Sequence, residues 1–316
     1  MTIEPAPLPA GTVDHRSVDW PRVRRSTYHL RQQLTYEYPG PIADLDQRLV
    51  LLPAPEYGDQ RVTDCALRTV GADPARHDER VDEFGNRVVR MHFRAVPERL
   101  QFALTLDLQR TLDGPPAAVS VEEAGRYVPA SQLTEPDAAL ARAARGLGRV
   151  LTGDAVARSA QINRWVYRRM RYERGVSGVR TTAADAFAHR AGVCQDFAHV
   201  MIALCRLSGI PARYVSGHLL GEGGTHAWVE TLVPSPDDPD KLVARAFDPT
   251  HGRPAGMTYI TVAVGRDYRD VAPTTGTFSA PYGGTLSARK VAVVTGVEYA
   301  DDDEGADAAS AERGAA

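Results

Sequence analysis

The segment from Ala191 to Leu220, AGVCQDFAHVMIALCRLSGIPARYVSGHLL, constrains the fold more than any other part of this sequence. Its apolar side chains recur at the spacing of one helix face, namely Phe197, Val200, Met201, Leu204 and either Leu207 or Ser208. The run Ser208-Gly209-Ile210-Pro211 ends this pattern, because glycine suits the left-handed position after a helix and proline cannot continue one. We therefore predict a helix that begins at Cys194.

The thiol of Cys194 falls on the first turn of this predicted helix. Unpaired backbone N–H groups and the positive end of the helix dipole favour an anion there, and the thiolate is the form of cysteine that attacks carbonyl carbons. A free cysteine is more commonly a buried apolar side chain, which is the role that we expect for Cys205. The position of Cys194 by itself leaves both interpretations open.

Two later segments supply what a cysteine nucleophile needs, which is a base within hydrogen-bond reach and a third group that orients the base. His226 heads the strand-like run THAWVE, and Asp248 ends the next strand-like run, AFDP. Opposite residues on adjacent antiparallel strands lie about 4.5–5.5 Å apart. His226 is therefore the candidate base and Asp248 the candidate orienting group of a Cys-His-Asp site.

The motifs GVCQDFAHVMIALCRLSGIPARYVSGHL, THAWVE and FDPTHG together resemble the transglutaminase-like superfamily, whose members have a papain-like core. The run DEFGNRV resembles the β-rich domain that precedes the core in bacterial members, and VGRDYRDVAPTTGTF resembles their segment after the aspartate. The resemblance covers most of residues 25–295. It implies that Cys194 is the nucleophile, His226 the general base and acid, and Asp248 the orienting residue.

The oxyanion site has two candidate donors. The predicted helix indicates one, and the family resemblance implies the other. The backbone N–H of Cys194 opens the helix and is a natural donor. In the family, a second donor comes from a polar or aromatic side chain upstream of the nucleophile, which makes Tyr172 the candidate. The sequence does not match the pattern of the animal enzymes at this point.

Several residues near the motifs have a structural interpretation that is commoner than a catalytic one. Asp196 is expected to stabilise the helix N-terminus through its charge, and Arg213 is expected to hold strands together. His199 is expected to be an ordinary histidine on the helix. A metal site of Cys194, His199 and His226 lacks the spacing of tetrahedral ligands, so we expect no metal.

Four further residues flank the proposed site in sequence. His218 and His251 are the candidates for a contact with substrate, although lone histidines are more often structural. Trp228 and Tyr214 are expected in the core rather than in the walls of a cleft, because aromatic residues on strands usually pack inward.

The coarse pattern predicts an α+β fold in which an antiparallel, β-sandwich-like N-terminal domain precedes a papain-like or transglutaminase-like core. In that core the helix of the nucleophile packs on an antiparallel sheet. Five short strand-like runs separated by turn residues support the first domain, over residues 28–38, 47–52, 61–70, 88–93 and 100–108. The predicted boundaries are a flexible arm at 1–24, the β-rich domain at 25–114, a connector at 115–134, the catalytic domain at 135–298 and a disordered acidic tail at 299–316.

Composition excludes several classes of protein. A net charge of −3 argues against a nucleic-acid partner, and the sequence has no apolar run long enough for a membrane span. The N-terminal residues lack the apolar region of a secretory signal, and three cysteines without metal spacing fit a reducing compartment. We therefore expect a cytoplasmic protein. No acidic loop has the pattern of a calcium site, and we expect no cofactor.

Together, the motifs and the resemblance predict a cysteine-dependent acyl-transfer enzyme that acts on peptide or glutamine-side-chain amides through a thioester. A protein or peptide is the expected substrate, and hydrolysis is ranked above crosslinking because the sequence shows no signature of a lysine tunnel. Two alternatives stay open at this point. One is a true crosslinking transglutaminase, and the other is a non-catalytic peptide-binding module that retains the cleft.

Overall fold

A computed structural model describes residue 9 and residues 11–300 of the chain. The elements of the first part are strands β1 (Val23–Glu37), β2 (Ile42–Leu49), β3 (Glu56–Tyr57), β4 (Gln60–Val70), β5 (Arg76–Val81), β6 (Arg87–Val96) and β7 (Arg99–Thr111). The middle part contains β8 (Ala118–Ser120), α1 (Val121–Ala124), α2 (Ala138–Gly148), α3 (Ala155–Arg169), β9 (Arg171–Tyr172), α4 (Ala183–His189), β10 (Ala191–Gly192) and α5 (Cys194–Leu207). The last part contains β11 (Ala212–Leu219), β12 (His226–Pro234), β13 (Lys241–Asp248), β14 (Arg253–Pro254), β15 (Tyr259–Gly265), α6 (Tyr268–Val271), β16 (Thr274–Ser279) and β17 (Thr285–Tyr299). Short 3₁₀ helices lie at Trp20–Arg22 and Gly125–Tyr127.

The N-terminal domain consists of two antiparallel sheets, as expected for a sandwich-like arrangement. One sheet has the strand order β17-β1-β7-β4-β3, and the other has the order β16-β2-β6-β5. Alternating side chains of β1 and β7 bury one apolar face, in keeping with the period of two. Leu30, Phe93, Phe102 and Leu106 are among the fully buried side chains of this core. The predicted α+β class is confirmed.

Both sheets of the N-terminal domain contain a strand from the far end of the chain. Strand β17 pairs with β1 along nearly its whole length, from Glu37↔Thr285 to Val23↔Tyr299, and β16 pairs with β2. These two strands lie within the predicted catalytic domain at 135–298, but they pair with the first two strands of the chain. A strand-like run does not reveal its partner in the sheet, because pairing between distant strands depends on the tertiary fold.

From residue 11 onward, the predicted flexible arm at 1–24 packs against the rest of the protein. Val13 forms an isolated antiparallel bridge with Val294, and Val18 and Val23 are buried. The indole Nε1 of Trp20 donates to the carbonyl of His15 at 2.9 Å. The remainder of the predicted arm, and the acidic tail beyond residue 300, lie outside the described residues.

The core around α5 has a sheet with the order β14-β13-β12-β11-β15, and β8 pairs with the outer part of β13. Helix α5 contacts β11 and β12 on one side and α2, α3 and α4 on the others. Asp154 and Thr182 cap α3 and α4 through their side chains. This arrangement confirms a nucleophile helix packed on an antiparallel sheet.

Helix α5 is buried almost all round and not on one face alone. All residues from 195 to 206 are buried, including Asp196, His199 and Arg206, whereas Leu207 is exposed. The spacing predicts one buried face of α5. The neighbouring helices also cover the sides that the pattern assigns to solvent. Arg206 is tolerated inside because its guanidinium donates to the carbonyls of Tyr127, Ala212 and Arg266.

A buried cluster of Tyr57, Arg213 and Glu230 joins the core to the N-terminal domain, and we call it the domain-linking cluster. Arg213 of β11 lies opposite Glu230 of β12 and donates to its Oε2 at 2.8 Å. The hydroxyl of Tyr57, which comes from β3, donates to the same carboxylate and accepts from Arg213 at 2.6 Å. This geometry confirms that Arg213 holds strands together.

Candidate active site

Cys194 is the first residue of α5 and is partly exposed. The preceding Val193 has an extended backbone and no capping side chain. Asp196 takes over that function, since its Oδ2 accepts from the amide of Val193 at 2.7 Å and from the hydroxyl of Ser177 at 2.5 Å. A Cβ on Gly192 would lie 2.4 Å from this same oxygen. Glycine at 192 therefore leaves room for the buried carboxylate of Asp196 beside the start of α5.

His226 and Asp248 meet at one end of the sheet, because His226 begins β12 and Asp248 ends the neighbouring β13. The imidazole Nε2 lies 2.8 Å from Oδ2 of Asp248, and both side chains are almost completely buried. Cys194 lies close enough to the same imidazole to raise its pKa. The structure thus brings together the three residues that the sequence singles out.

The charges of this trio stabilise one another. Burial lowers the pKa of His226, but the hydrogen bonds to Asp248, Cys194 and Glu222 outweigh it and leave that pKa well above the ordinary value. Burial likewise raises the pKa of Asp248, and the hydrogen bonds from His226 and His251 reverse this and hold it well below its usual range. An imidazolium next to a carboxylate is the favoured state of the pair.

A second imidazole and a second carboxylate extend the trio, and we call Glu222, His226, Asp248 and His251 the active-site cluster. Nδ1 of His251 lies 2.7 Å from Asp248 Oδ2, the oxygen that also contacts His226. The Oε2 of Glu222 lies 3.3 Å from Nδ1 of His226, and its Oε1 lies 3.9 Å from Nε2 of His251. His251 is the one of the two flanking histidines that reaches the site, and Glu222 is a member that the sequence did not indicate.

Asp248 is held by more than its two imidazoles. The hydroxyl of Tyr259 donates to Oδ2 at 2.8 Å, and the amide of Thr250 donates to Oδ1 at 2.8 Å. Tyr259 lies on β15, at the far side of β11 from the two strands of the pair. Its role could not be read from spacing, since it depends on the order of strands in the sheet.

Trp228 packs beside the imidazole of His226. Its ring is buried, with its centroid 6.2 Å from that of His226 and 5.4 Å from that of Tyr259. A Cβ on Gly217 would lie 2.5 Å from the indole and 2.1 Å from the carbonyl of Ile260. The glycine of β11 thus makes room for the indole. The expectation of a core position for Trp228 and for Tyr214 is confirmed.

Tyr172 lies next to the nucleophile in the backbone pairing but points partly into solvent. Strand β9 pairs in parallel with β10, with Tyr172 opposite Gly192. The side chain of Tyr172 is about half exposed and hydrogen-bonds Arg174, whose charge also acts on Cys194 and Glu222. Its assignment as an oxyanion donor stays a prediction.

Two histidines of the sequence analysis have structural positions. His199 is fully buried, and its Nε2 accepts from the amide of Tyr268 at 3.2 Å while its ring packs on Tyr214. Burial lowers its pKa to about 4. His218 is buried as well, and burial lowers its pKa to about 3. Cys205 is wholly buried, which raises its pKa to about 12, and its expected core position is confirmed.

One group of side chains has the proximity that a metal ion requires. The ligand atoms of His226, Asp248 and His251 lie within 4.8 Å of one another. Instead, Nε2 of His226 and Nδ1 of His251 both lie at hydrogen-bond distance from Oδ2 of Asp248. His199 does not join Cys194 and His226 in any such group among the residues that the structure describes.

Two family patterns match this chain. That of the transglutaminase-like superfamily matches residues 142–241, and that of the bacterial transglutaminase-like N-terminal region matches residues 28–109. Together they span more than half of the chain. The structure is similar to that of a candidate cysteine protease from Cytophaga hutchinsonii, with a TM-score of 0.71, 20% identity and coverage of 87% of this chain and 92% of that one. At this identity the likeness shows the fold.

Curated relatives at higher identity match only part of the chain. An uncharacterized protein of Mycobacterium leprae is 39% identical over 126 residues, which is 37% of this chain and 42% of that protein. An uncharacterized protein of Mycobacterium tuberculosis is 36% identical over 122 residues, 35% of this chain and 38% of that protein. The chain thus matches about two-fifths of the length of these relatives. None of the described helices is long and apolar enough to cross a membrane.

Proposed function

Because the chain belongs to the transglutaminase-like superfamily, we propose that it is a cysteine-dependent acyl-transfer enzyme that acts on amide bonds of a protein or peptide. The observation that carries the proposal is that one imidazole, that of His226, hydrogen-bonds Asp248 and also interacts with Cys194. Such a connected trio is the arrangement that activates a thiol as a nucleophile.

In the proposed mechanism, Cys194 gives its thiol proton to His226 before the acyl donor binds, which forms a thiolate–imidazolium pair, and in the acylation step the thiolate attacks the amide carbonyl carbon. The resulting tetrahedral intermediate collapses when the C–N bond breaks. His226 gives its proton to the departing nitrogen, so that an amine leaves and a thioester remains on Cys194. Asp248 keeps the imidazole oriented and balances its positive charge through Nε2.

The negative oxygen of the intermediate is proposed to be stabilised at the start of α5. The amide of Cys194 is the first donor, since it stands at the N-terminal end of the helix. The proposed second donor is the hydroxyl of Tyr172, because the pairing of β9 with β10 holds its backbone beside that of Gly192. A rotation of the half-exposed phenol toward Cys194 is then required.

Water is the proposed acceptor of the acyl group, which makes the reaction a hydrolysis. In the second step His226 takes a proton from water, the hydroxide oxygen attacks the thioester, and the free carboxylic acid leaves with Cys194 restored as a thiol. A primary amine in place of water would give an isopeptide crosslink. The two outcomes share the thioester and differ only in the acceptor.

The proposal is tested by incubating the protein with casein and a fluorescent primary amine, and with a glutamine-containing peptide. Release of new amino termini or of ammonia, without incorporation of the amine, is the expected result. Incorporation of the amine that is lost in Cys194→Ala would establish crosslinking instead. Binding of casein without any turnover, and with no difference from Cys194→Ala, would identify a peptide-binding module and overturn the proposal.

A further inference from the structure

Glu222 belongs to the active-site cluster, but the proposed roles of the other members give it no function. It lies in the sequence Gly221-Glu222-Gly223-Gly224, the turn between β11 and β12, and Gly221 has a φ of +85°. The carboxylate is only partly exposed, and its Oε2 lies 3.3 Å from Nδ1 of His226. Nδ1 is the nitrogen that remains for the chemistry, because Nε2 is already bound to Asp248 at 2.8 Å.

We infer that Glu222 is a positioning residue that holds His226 in its doubly protonated, proton-donating form and occupies Nδ1 until an acyl donor enters. The inference rests on the proposed function, since it assigns Glu222 a role in the same site. With Asp248 on one nitrogen and Glu222 on the other, the buried imidazole has a carboxylate at each N–H. Two carboxylates favour the charged imidazolium more than one does.

The charged groups around Glu222 come from five other parts of the chain. His226 and His251 contact it directly, and the charge of Asp248 opposes it across the cluster. Arg174 from the segment between β9 and α4 and Lys290 from β17 interact with it electrostatically, and Arg174 also interacts with Cys194. The hydrogen bond from His226 is the largest influence and lowers the pKa of Glu222. The basic groups around Glu222 are thus His226, His251, Arg174 and Lys290, and Asp248 is a second acid beside them.

The position of Glu222 also has a consequence for substrate entry. The leaving nitrogen of an amide must receive its proton from the side of His226 that faces the thiol, and Nδ1 is the nitrogen free for that purpose. Glu222 has to yield this nitrogen when the acyl donor binds. A turn with glycine on both sides of the carboxylate can make that movement without displacing β11 or β12, because glycine has few backbone restrictions.

The direct test is a titration of the imidazole of His226 by nuclear magnetic resonance on protein labelled with ¹⁵N-histidine, with the signal assigned by its loss in His226→Gln. We expect Glu222→Gln to move the midpoint at which His226 loses its proton down by about one pH unit, and Glu222→Asp to restore part of that shift. Glu98→Gln is the matched control, because Glu98 is an exposed glutamate in the turn between β6 and β7. This control is expected to titrate as the wild type does.

Turnover provides the second readout. If kcat/KM is measured on a small acyl donor as a function of pH, the alkaline limb of Glu222→Gln should move down by the same amount as the midpoint of His226. An unchanged midpoint for His226 in Glu222→Gln would overturn the inference. Because the titration needs no substrate, a shifted midpoint in a protein without turnover would contradict the proposed function and leave the role of Glu222 supported.

Discussion

The two buried ion clusters share strand β12, where His226 and Glu230 lie four residues apart, yet they differ in how completely their charges are enclosed. In the domain-linking cluster the side chains of Arg213 and Glu230 are 3% and 6% exposed, and Tyr57 bonds to both. In the active-site cluster His226 and Asp248 are equally buried, but His251 and Glu222 are each 37% exposed and Cys194 is partly accessible.

This difference indicates what each cluster is suited to do. A closed set of partners leaves no donor or acceptor for another molecule, and its loss affects the folded state. A set with an open side keeps a proton donor and a nucleophile within reach of a substrate, while the buried half fixes their positions. Access from solvent therefore suits the same residue types to cohesion in one place and to the proposed chemistry in the other.

The largest effect is expected on the catalytic side of the comparison. Asp248→Ala should lower kcat/KM by about 10³-fold, because the imidazole of His226 loses the partner that orients it and balances its charge. Steady-state kinetics on a peptide amide measures this loss. Asp248→Asn, which keeps an acceptor but not the charge, should retain more activity than Asp248→Ala. Full activity of Asp248→Ala would remove Asp248 from the mechanism.

The next effect is expected in the domain-linking cluster. Arg213→Met leaves the carboxylate of Glu230 buried without its cation, which should reduce the free energy of unfolding by about 3–5 kcal/mol. Urea denaturation followed by circular dichroism measures this change. The specific activity of the folded fraction is expected to stay within a few-fold of the wild type. A large loss of activity without a loss of stability would contradict the division between the two clusters.

A smaller effect is expected for the proposed oxyanion donor. Tyr172→Phe should lower kcat by about tenfold to a hundredfold with little change in KM, since a donor that acts only on the developing oxyanion contributes to the transition state. The half-exposed position of the ring places the expected effect at the lower end. Tyr167→Phe is a suitable control, because Tyr167 is a similarly exposed tyrosine on α3. Equal kinetics for both variants would remove Tyr172 from the oxyanion site.

The smallest effect concerns the pH dependence of stability. The pKa of His226 is raised on folding, so its contribution is complete below its unfolded value of about 6.5 and is lost as the pH rises through the raised value. The pKa of Asp248 is lowered, so its contribution is present above about 3.9 and is lost as the pH falls. The stability gap between the wild type and His226→Gln should therefore shrink steadily as the pH rises from 6 to 9. A gap that is constant over this range in urea titrations would contradict the charged state assigned to His226.

Much of the catalytic core could be predicted from the sequence because its signals are local. The spacing of apolar residues, the stop at Gly209-Ile210-Pro211 and the caps at Asp154 and Thr182 depend on neighbours within a few positions, and α5 begins at the expected residue. Cys194, His226 and Asp248 could be linked because each follows from a local pattern and the three occur in a recognisable order.

The remaining features of the fold and of the site depend on contacts between distant parts of the chain. Strand β17 shows a strand-like run, but nothing local indicates that it pairs with β1, and β5 was missed because all its side chains are exposed and show no alternation. Glu222 and Tyr259 join the site only once β11, β12 and β15 lie side by side. A glutamate in a glycine-rich turn has no signature of its own.

The central claim is that Cys194 forms a covalent acyl intermediate with the help of His226. The most direct measurement is the intact mass of the protein after rapid mixing with an activated acyl donor such as a p-nitrophenyl ester, followed by acid quench and peptide mapping. One acyl group on Cys194 is the expected result, and it should be absent in Cys194→Ala and accumulate more slowly in His226→Gln. An acyl group on another residue, or equal turnover by Cys194→Ala, would contradict it.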